Sequence, residues 1–124
     1  MEIPSKIVSS FKKYAELSGE PDLNFPYGTN PDNFGGIHLE ISPNGLMALV
    51  GTERGKETQR QETKSIDELM YWIFKKRANS KAFYKSQKNY DYAASQQKAL
   101  NEIGKISQEW RNRLKREQEN FRRS

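Results

Sequence analysis

Apolar residues recur at three- and four-residue spacing between Ile3 and Ser18, at Ile3, Ile7, Val8, Phe11, Tyr14, Ala15 and Leu17. On a helix of about 3.6 residues per turn they form one stripe. Gly19 reads as the stop, and Pro21 prevents continuation. Three prolines and three glycines between Glu20 and Gly36 mark an irregular connection that Phe25, Tyr27 and Phe34 are placed to pin down. The period then changes to two at Ile37, Leu39 and Ile41, with His38 and Glu40 on the other face, which describes a half-buried strand. Pro43-Asn44-Gly45 predicts a turn whose two central residues take positive φ. Leu46 to Thr52, apolar on both faces, reads as a central strand. Gly55 allows the next reversal, and Lys56 to Thr63 alternates among polar residues only, as suits a charged edge strand. Strict alternation puts Glu57, Gln59 and Gln61 on one face of it and Lys56, Thr58, Arg60 and Glu62 on the other.

Ser65-Ile66-Asp67-Glu68 matches a capping box and predicts a helix over about 66–77, with Ile66, Leu69, Met70, Ile73 and Phe74 on its apolar face. The pattern weakens at Ala78-Asn79-Ser80, and Ala82-Phe83-Tyr84 is expected to form a separate short helical segment. From Asp91 the stripe returns as Tyr92, Ala99, Leu100, Ile103, Trp110, Leu114 and Phe121. Unbroken it would run about 45 Å at roughly 1.5 Å per residue, too long for a chain of this size. A break near Gly104 to Ser107 is expected, with Ser107 as a second N-cap and fraying after about residue 115. The predicted fold is α+β, with a small antiparallel three-stranded sheet (about 37–63). An N-terminal helix, the helix at about 66–77 and the C-terminal helices would cover it, in a single domain over 1–124.

Composition narrows the chemistry. The 124 residues contain no cysteine, which excludes a disulfide framework, a thiolate metal site and a cysteine nucleophile. No run approaches the roughly 18 apolar residues of a membrane span and no leader-like core opens the chain, so a soluble, cytoplasmic protein is expected. Six basic residues oppose nine acidic ones through Glu62, a net charge of −3, whereas fifteen oppose seven beyond it, a net charge of +8. The first half therefore suits a basic partner and the second an acidic one.

Catalysis finds little support. The lone histidine, His38, sits mid-strand two residues from Glu40, so both point to one face and can hydrogen bond. One imidazole without a nucleophile motif does not specify an enzyme. Asp67-Glu68 suits a helix N-terminus better than acid–base work. Gly35-Gly36 lacks the flanking pattern of a phosphate loop, and no clustered ligands suggest a metal site or a cofactor. Arg111, Arg113, Lys115, Arg116, Arg122 and Arg123, interleaved with Trp110 and Phe121, leave nucleic-acid binding by the C-terminal helix as an alternative. Trp110 and Phe121 share the apolar stripe of Leu100, which favours packing over base stacking.

Several short motifs stand in order along the chain: Asp-x-Phe-Gly-Gly-x-His-x-Glu at Asp32 to Glu40, Glu-Arg-Gly at Glu53 to Gly55, Leu-x-Tyr-Trp-Ile-Phe at Leu69 to Phe74, Asp91-Tyr92, then Gln97 and Trp110. In this order the chain, from about Asn24 to Trp110, resembles immunity protein family 63 of bacterial polymorphic-toxin and contact-dependent inhibition systems. It departs from the family pattern at Ala93-Ala94, where a basic pair is expected. The resemblance implies a protein that binds and neutralises a cognate toxin domain, a basic nuclease being one candidate, by stoichiometric blocking and without cofactor, small-molecule substrate or turnover. The candidate contact residues are Asp32, His38, Glu40, Glu53, Arg54, Glu57, Tyr71 and Trp72. The carboxylates would meet a basic groove, and the adjacent aromatics, unable to face one core together, would leave one available as an anchor.

Overall fold

The computed structural model describes residues 3–31, 36–85 and 91–123, with the side chains at 84, 85, 122 and 123 excepted. Four helices and one antiparallel sheet follow in the order α1 (Ser5–Leu17), β1 (Gly36–Ile41), β2 (Met47–Glu53), β3 (Lys56–Thr63), α2 (Ile66–Lys85), α3 (Tyr92–Gly104) and α4 (Gln108–Arg123). The fold is α+β. The chain divides into two compact units, the first comprising Met1–Lys12 and Asn24–Leu69 and the second Lys13–Leu23 and Met70–Ser124.

In the first unit the sheet order is β1-β2-β3. The apolar run of β2 is central as its sequence requires: Met47 to Val50 are all buried, while β3 is exposed along nearly its whole length. Ile7 and Phe11 of α1 are buried, and Phe11 meets Phe25 edge to face at 5.5 Å. Phe25 in turn meets Tyr27 at 5.9 Å, and the Leu39 amide donates to the Gly28 carbonyl, so the irregular segment is held beside β1.

The two hairpin turns exchange the backbone geometry the residue types suggest. Between β1 and β2, Gly45 takes φ 88° but Asn44 does not take positive φ; its Oδ1 accepts from the Leu46 amide at 3.1 Å instead. Between β2 and β3 both residues of the two-residue loop do so, Arg54 at φ 54° and Gly55 at 78°. That sign pattern belongs to a type I′ turn, whose twist matches the flanking strands.

In the second unit Gly19, at φ 86°, closes α1 with a complete Schellman motif: the Glu20 amide donates to the Ala15 carbonyl and the Gly19 amide to that of Glu16. Glu20 then accepts from both Arg77 and Lys81 of α2. Helix α2 runs through Ala78-Asn79-Ser80 to Lys85 as one element, not as a helix ending near 77 followed by a second segment. Ala78 and Ala82 are buried, and at four-residue spacing they prolong the line of Phe74 with small side chains that a hydrophobicity pattern registers poorly. The break after Gly104 falls where length demanded it, and Ser107 caps α4, its Oγ accepting from the Trp110 amide at 3.2 Å. Asp91 does the same for α3 through the Ala94 amide. Trp110 packs on Tyr14 and Tyr71, with ring centroids 4.8 and 5.6 Å apart.

Candidate partner-binding surface

The polar face of the sheet is organised by an irregularity. The register pairs Gly51 with Gln59 and Thr52 with Glu57, leaving Thr58 as the extra residue of a β-bulge. Alternation is therefore reset: Glu57, placed with Gln59 and Gln61 by simple counting, stands on the face of Arg60 and Glu62. Across the sheet this row continues through Thr52, Val50 and Ala48 to Gly36, His38 and Glu40.

Arg60 is the centre of what results. Its Nε and Nη2 donate to Glu57 Oε1 at 3.0 and 2.6 Å, and Nη2 also donates to Glu40 Oε1 at 3.0 Å. Glu62 lies 3.8 Å from Nη1. The other Glu40 oxygen meets His38 Nε2 at 2.8 Å. The hydrogen bond with His38 is the largest influence on the Glu40 carboxyl, and with the Arg60 guanidinium it outweighs burial and holds the group below the usual glutamate range. Arg60 is pushed correspondingly upward, first by Glu57 and then by Glu40. Three carboxylates around one guanidinium leave the face acidic while fixing its side chains.

His38 is 2% exposed, and its Nδ1 has no hydrogen-bond partner among the described residues. An imidazole so enclosed, with its other nitrogen held by a carboxylate that is itself ion-paired, gives a ligand no access. Among the described residues no group of three or more His, Cys, Asp or Glu could hold a metal ion.

The remaining candidates separate. Asp32 lies outside the described residues. Glu53 and Arg54 are exposed at the tip of the β2–β3 hairpin. Tyr71 is 1% exposed, its hydroxyl donating to Glu117 Oε1 at 2.7 Å, whereas the neighbouring Trp72 is half-buried. Lys75 reaches the same Glu117 oxygen at 2.8 Å, and Arg113 lies over the Tyr71 ring at 3.9 Å. Burial alone would raise the Glu117 carboxyl, but the hydrogen bonds from Lys75 and Tyr71 outweigh it and hold it low. Arg113 and Trp110 are thus engaged within the second unit and are not a bare basic and aromatic stripe for a phosphate backbone.

Sequence reasoning missed two features. Strict alternation puts Arg60 on the face opposite Glu57, and no local signal announces the bulge that reunites them. Tyr92 and Phe121, assigned to the packed stripe, are 47% and 70% exposed. With Phe83, also exposed, they line a groove of about 440 Å³ bounded by α2, α3 and α4. Both lie in terminal turns of their helices, beyond the buried stretch.

Fold and surface together define a small α+β protein with a fixed acidic face. The model of the family Immunity protein 63 matches residues 44–120, and the chain belongs to that family. No curated protein and no solved structure gives a significant match. The matched span contains the motifs at Glu53 to Gly55, Leu69 to Phe74 and Asp91 to Trp110 and begins after the one at Asp32 to Glu40. Several motif residues maintain the fold: Gly55 forms the turn, Tyr71 and Trp110 pack, and Asp91 caps a helix. Glu53, Arg54, Trp72, Tyr92 and Gln97 are motif members with exposed or half-buried side chains. Among the described residues no helix is long and apolar enough to cross a membrane.

Proposed function

We propose that this protein binds a cognate bacterial toxin domain in the cytoplasm and neutralises it by stoichiometric blocking of its active site or substrate groove, without turnover. Membership of the Immunity protein 63 family carries the reading. The geometry supports a location for the contact: the β2–β3 hairpin, where Glu53 and Arg54 lead into the face of Glu40, Glu57 and Glu62 around Arg60. An acidic surface with side chains already ordered by mutual ion pairs costs little entropy to dock, and it suits a basic groove such as that of a nuclease. Trp72 remains a candidate anchor, while burial sets Tyr71 and His38 apart from direct contact.

Co-expression with the toxin domain encoded by the adjacent reading frame tests this, with growth and co-purification as readouts. Wild-type protein restores growth and co-purifies at one to one. The charge reversals Glu53→Lys and Glu57→Lys weaken both while the circular-dichroism spectrum and melting curve stay close to wild type. Full protection by the double variant refutes the hairpin as the interface, and absence of protection by wild type refutes the function.

A further inference from the structure

The tip of the β2–β3 hairpin pairs a conformational cost with an unused charge. Arg54 is the one residue other than glycine with positive φ among the described residues. At φ 54° an L side chain crowds its own carbonyl, which is why glycine, asparagine and aspartate prevail at this position of a type I′ turn. Nothing in the described structure compensates for an arginine there. Its guanidinium is exposed and makes no hydrogen bond or ion pair among the described residues. On the adjoining acidic face, by contrast, Glu57, Glu40 and Glu62 all surround Arg60. The loop is also short, its two residues closed by the pair Glu53–Lys56, with Thr52–Glu57 the next pair along the ladder.

Backbone strain of this kind clusters at ligand clamps and binding sites, so a strained residue whose side chain has no internal partner is a candidate contact. We propose that Arg54 is the specificity-determining contact of this surface and that it takes a carboxylate of the toxin domain in its planar fork, a proposal that rests on the toxin-binding reading above. Arginine suits this because two parallel N–H donors match two carboxylate oxygens, which a lysine ammonium cannot reproduce. Carboxylates inside an otherwise basic groove are common where metal ions or general bases work on nucleic acid. The acidic face would then meet the basic rim, and Arg54 would meet the acidic centre. Opposite charges in fixed register would reject toxins that lack either element.

Two substitutions separate use from tolerance. Arg54→Asn suits the left-handed turn and removes the fork; Arg54→Lys keeps the backbone penalty and the charge and removes only the fork. Purified wild type and both variants are titrated calorimetrically with the toxin domain of the adjacent reading frame and melted in parallel. We expect Arg54→Asn to raise the melting temperature by roughly 3 °C and to weaken binding about tenfold or more. Arg54→Lys should leave melting unchanged and weaken binding to a similar degree. Wild-type binding that Arg54→Asn leaves undiminished overturns this assignment alone, as does full affinity in Arg54→Lys. Failure of the wild type to bind overturns the toxin-binding reading and this assignment with it.

Discussion

Glu57 and Arg60 share one face of β3 although they are three positions apart, and their side chains meet at 2.6 Å. On an unbroken strand an odd separation puts two side chains on opposite faces. Thr58, the extra residue between the pairs Gly51–Gln59 and Thr52–Glu57, cancels that rule. The bulge therefore assembles the acidic face: without it Arg60 would lack its nearest carboxylate, and Glu57 would point with Gln59 and Gln61. A twisted, bulged and charged edge is also poorly disposed to pair with another strand, which keeps β3 available for side-chain recognition.

Acid should weaken this fold for an identifiable reason. Glu20, Glu40 and Glu117 all titrate below the ordinary value of 4.5. For Glu20, burial opposes the shift, but the hydrogen bonds from Lys81 and Arg77 outweigh it. A depressed carboxyl binds fewer protons in the folded than in the unfolded chain, so its contribution is full above the unfolded value and disappears as pH falls through the folded one. The urea midpoint should fall as pH is lowered from about 5 toward 3, and Glu20→Gln should make that slope shallower. A midpoint indifferent to pH over this range would show that the ion pairs do not bear on stability.

Tyr71 and Trp72 should respond to substitution in opposite assays. Tyr71→Phe keeps the packing on Trp110 but removes the donor to Glu117, costing about 1.5–3 kcal/mol of stability by the usual value of a hydrogen bond to a charged group. Toxin neutralisation should be unaffected at temperatures where the variant is folded. Trp72→Ala, at a half-buried position, should weaken neutralisation more than it lowers the melting temperature. Denaturation curves beside growth protection distinguish the two.

Much of the architecture was legible because its determinants are local. Gly19 ends α1, Ser65 opens α2 with its Oγ accepting from the Glu68 amide, and Ser107 separates α3 from α4. The apolar run of β2 and the polar run of β3 announced centre and edge. What could not be read depends on neighbours distant in sequence. The bulge at Thr58 exists only in relation to β2, and the choice of Tyr71 over Trp72 as the buried ring is made by Trp110 and Glu117, some forty residues away. The candidate surface was half legible for the same reason: Glu40, Glu53, Arg54 and Glu57 were recognisable as charges on strands, but Arg60 as their organiser required the register.

The helix junction offers a simple quantitative check. Ser107 accepts from the Trp110 amide, and its own carbonyl accepts from the Arg111 amide at 3.0 Å. Ser107→Ala should destabilise the protein by about 1 kcal/mol, as loss of an N-cap usually does. Ser107→Asp should be neutral or stabilising, since a carboxylate caps equally well and favours the positive end of the helix dipole. Urea melts at neutral pH decide, and equal stability of Ser107→Ala and wild type would mean that α3 and α4 are separated by packing alone.

Gly51 and Gln59 provide the most specific test of the bulged register. They are cross-strand partners, and a methyl group added at Gly51 would lie 2.7 Å from Gln59 Cγ and 2.9 Å from its Nε2. Both distances are shorter than a carbon atom tolerates, and Cγ lies too near the backbone to swing away freely. Gly51→Ala alone should therefore cost about 1–3 kcal/mol, in the range of an overpacked site. Gln59→Ala, at an exposed position, should cost little. In the double variant the intruding side chain is gone, and the alanine also relieves the entropic penalty of glycine in a strand. A double-mutant cycle should then show the two substitutions compensating by at least about 1 kcal/mol. If instead the register set at the two-residue turn ran on without the bulge, Gly51 would face Thr58, not Gln59, and the two effects would simply add.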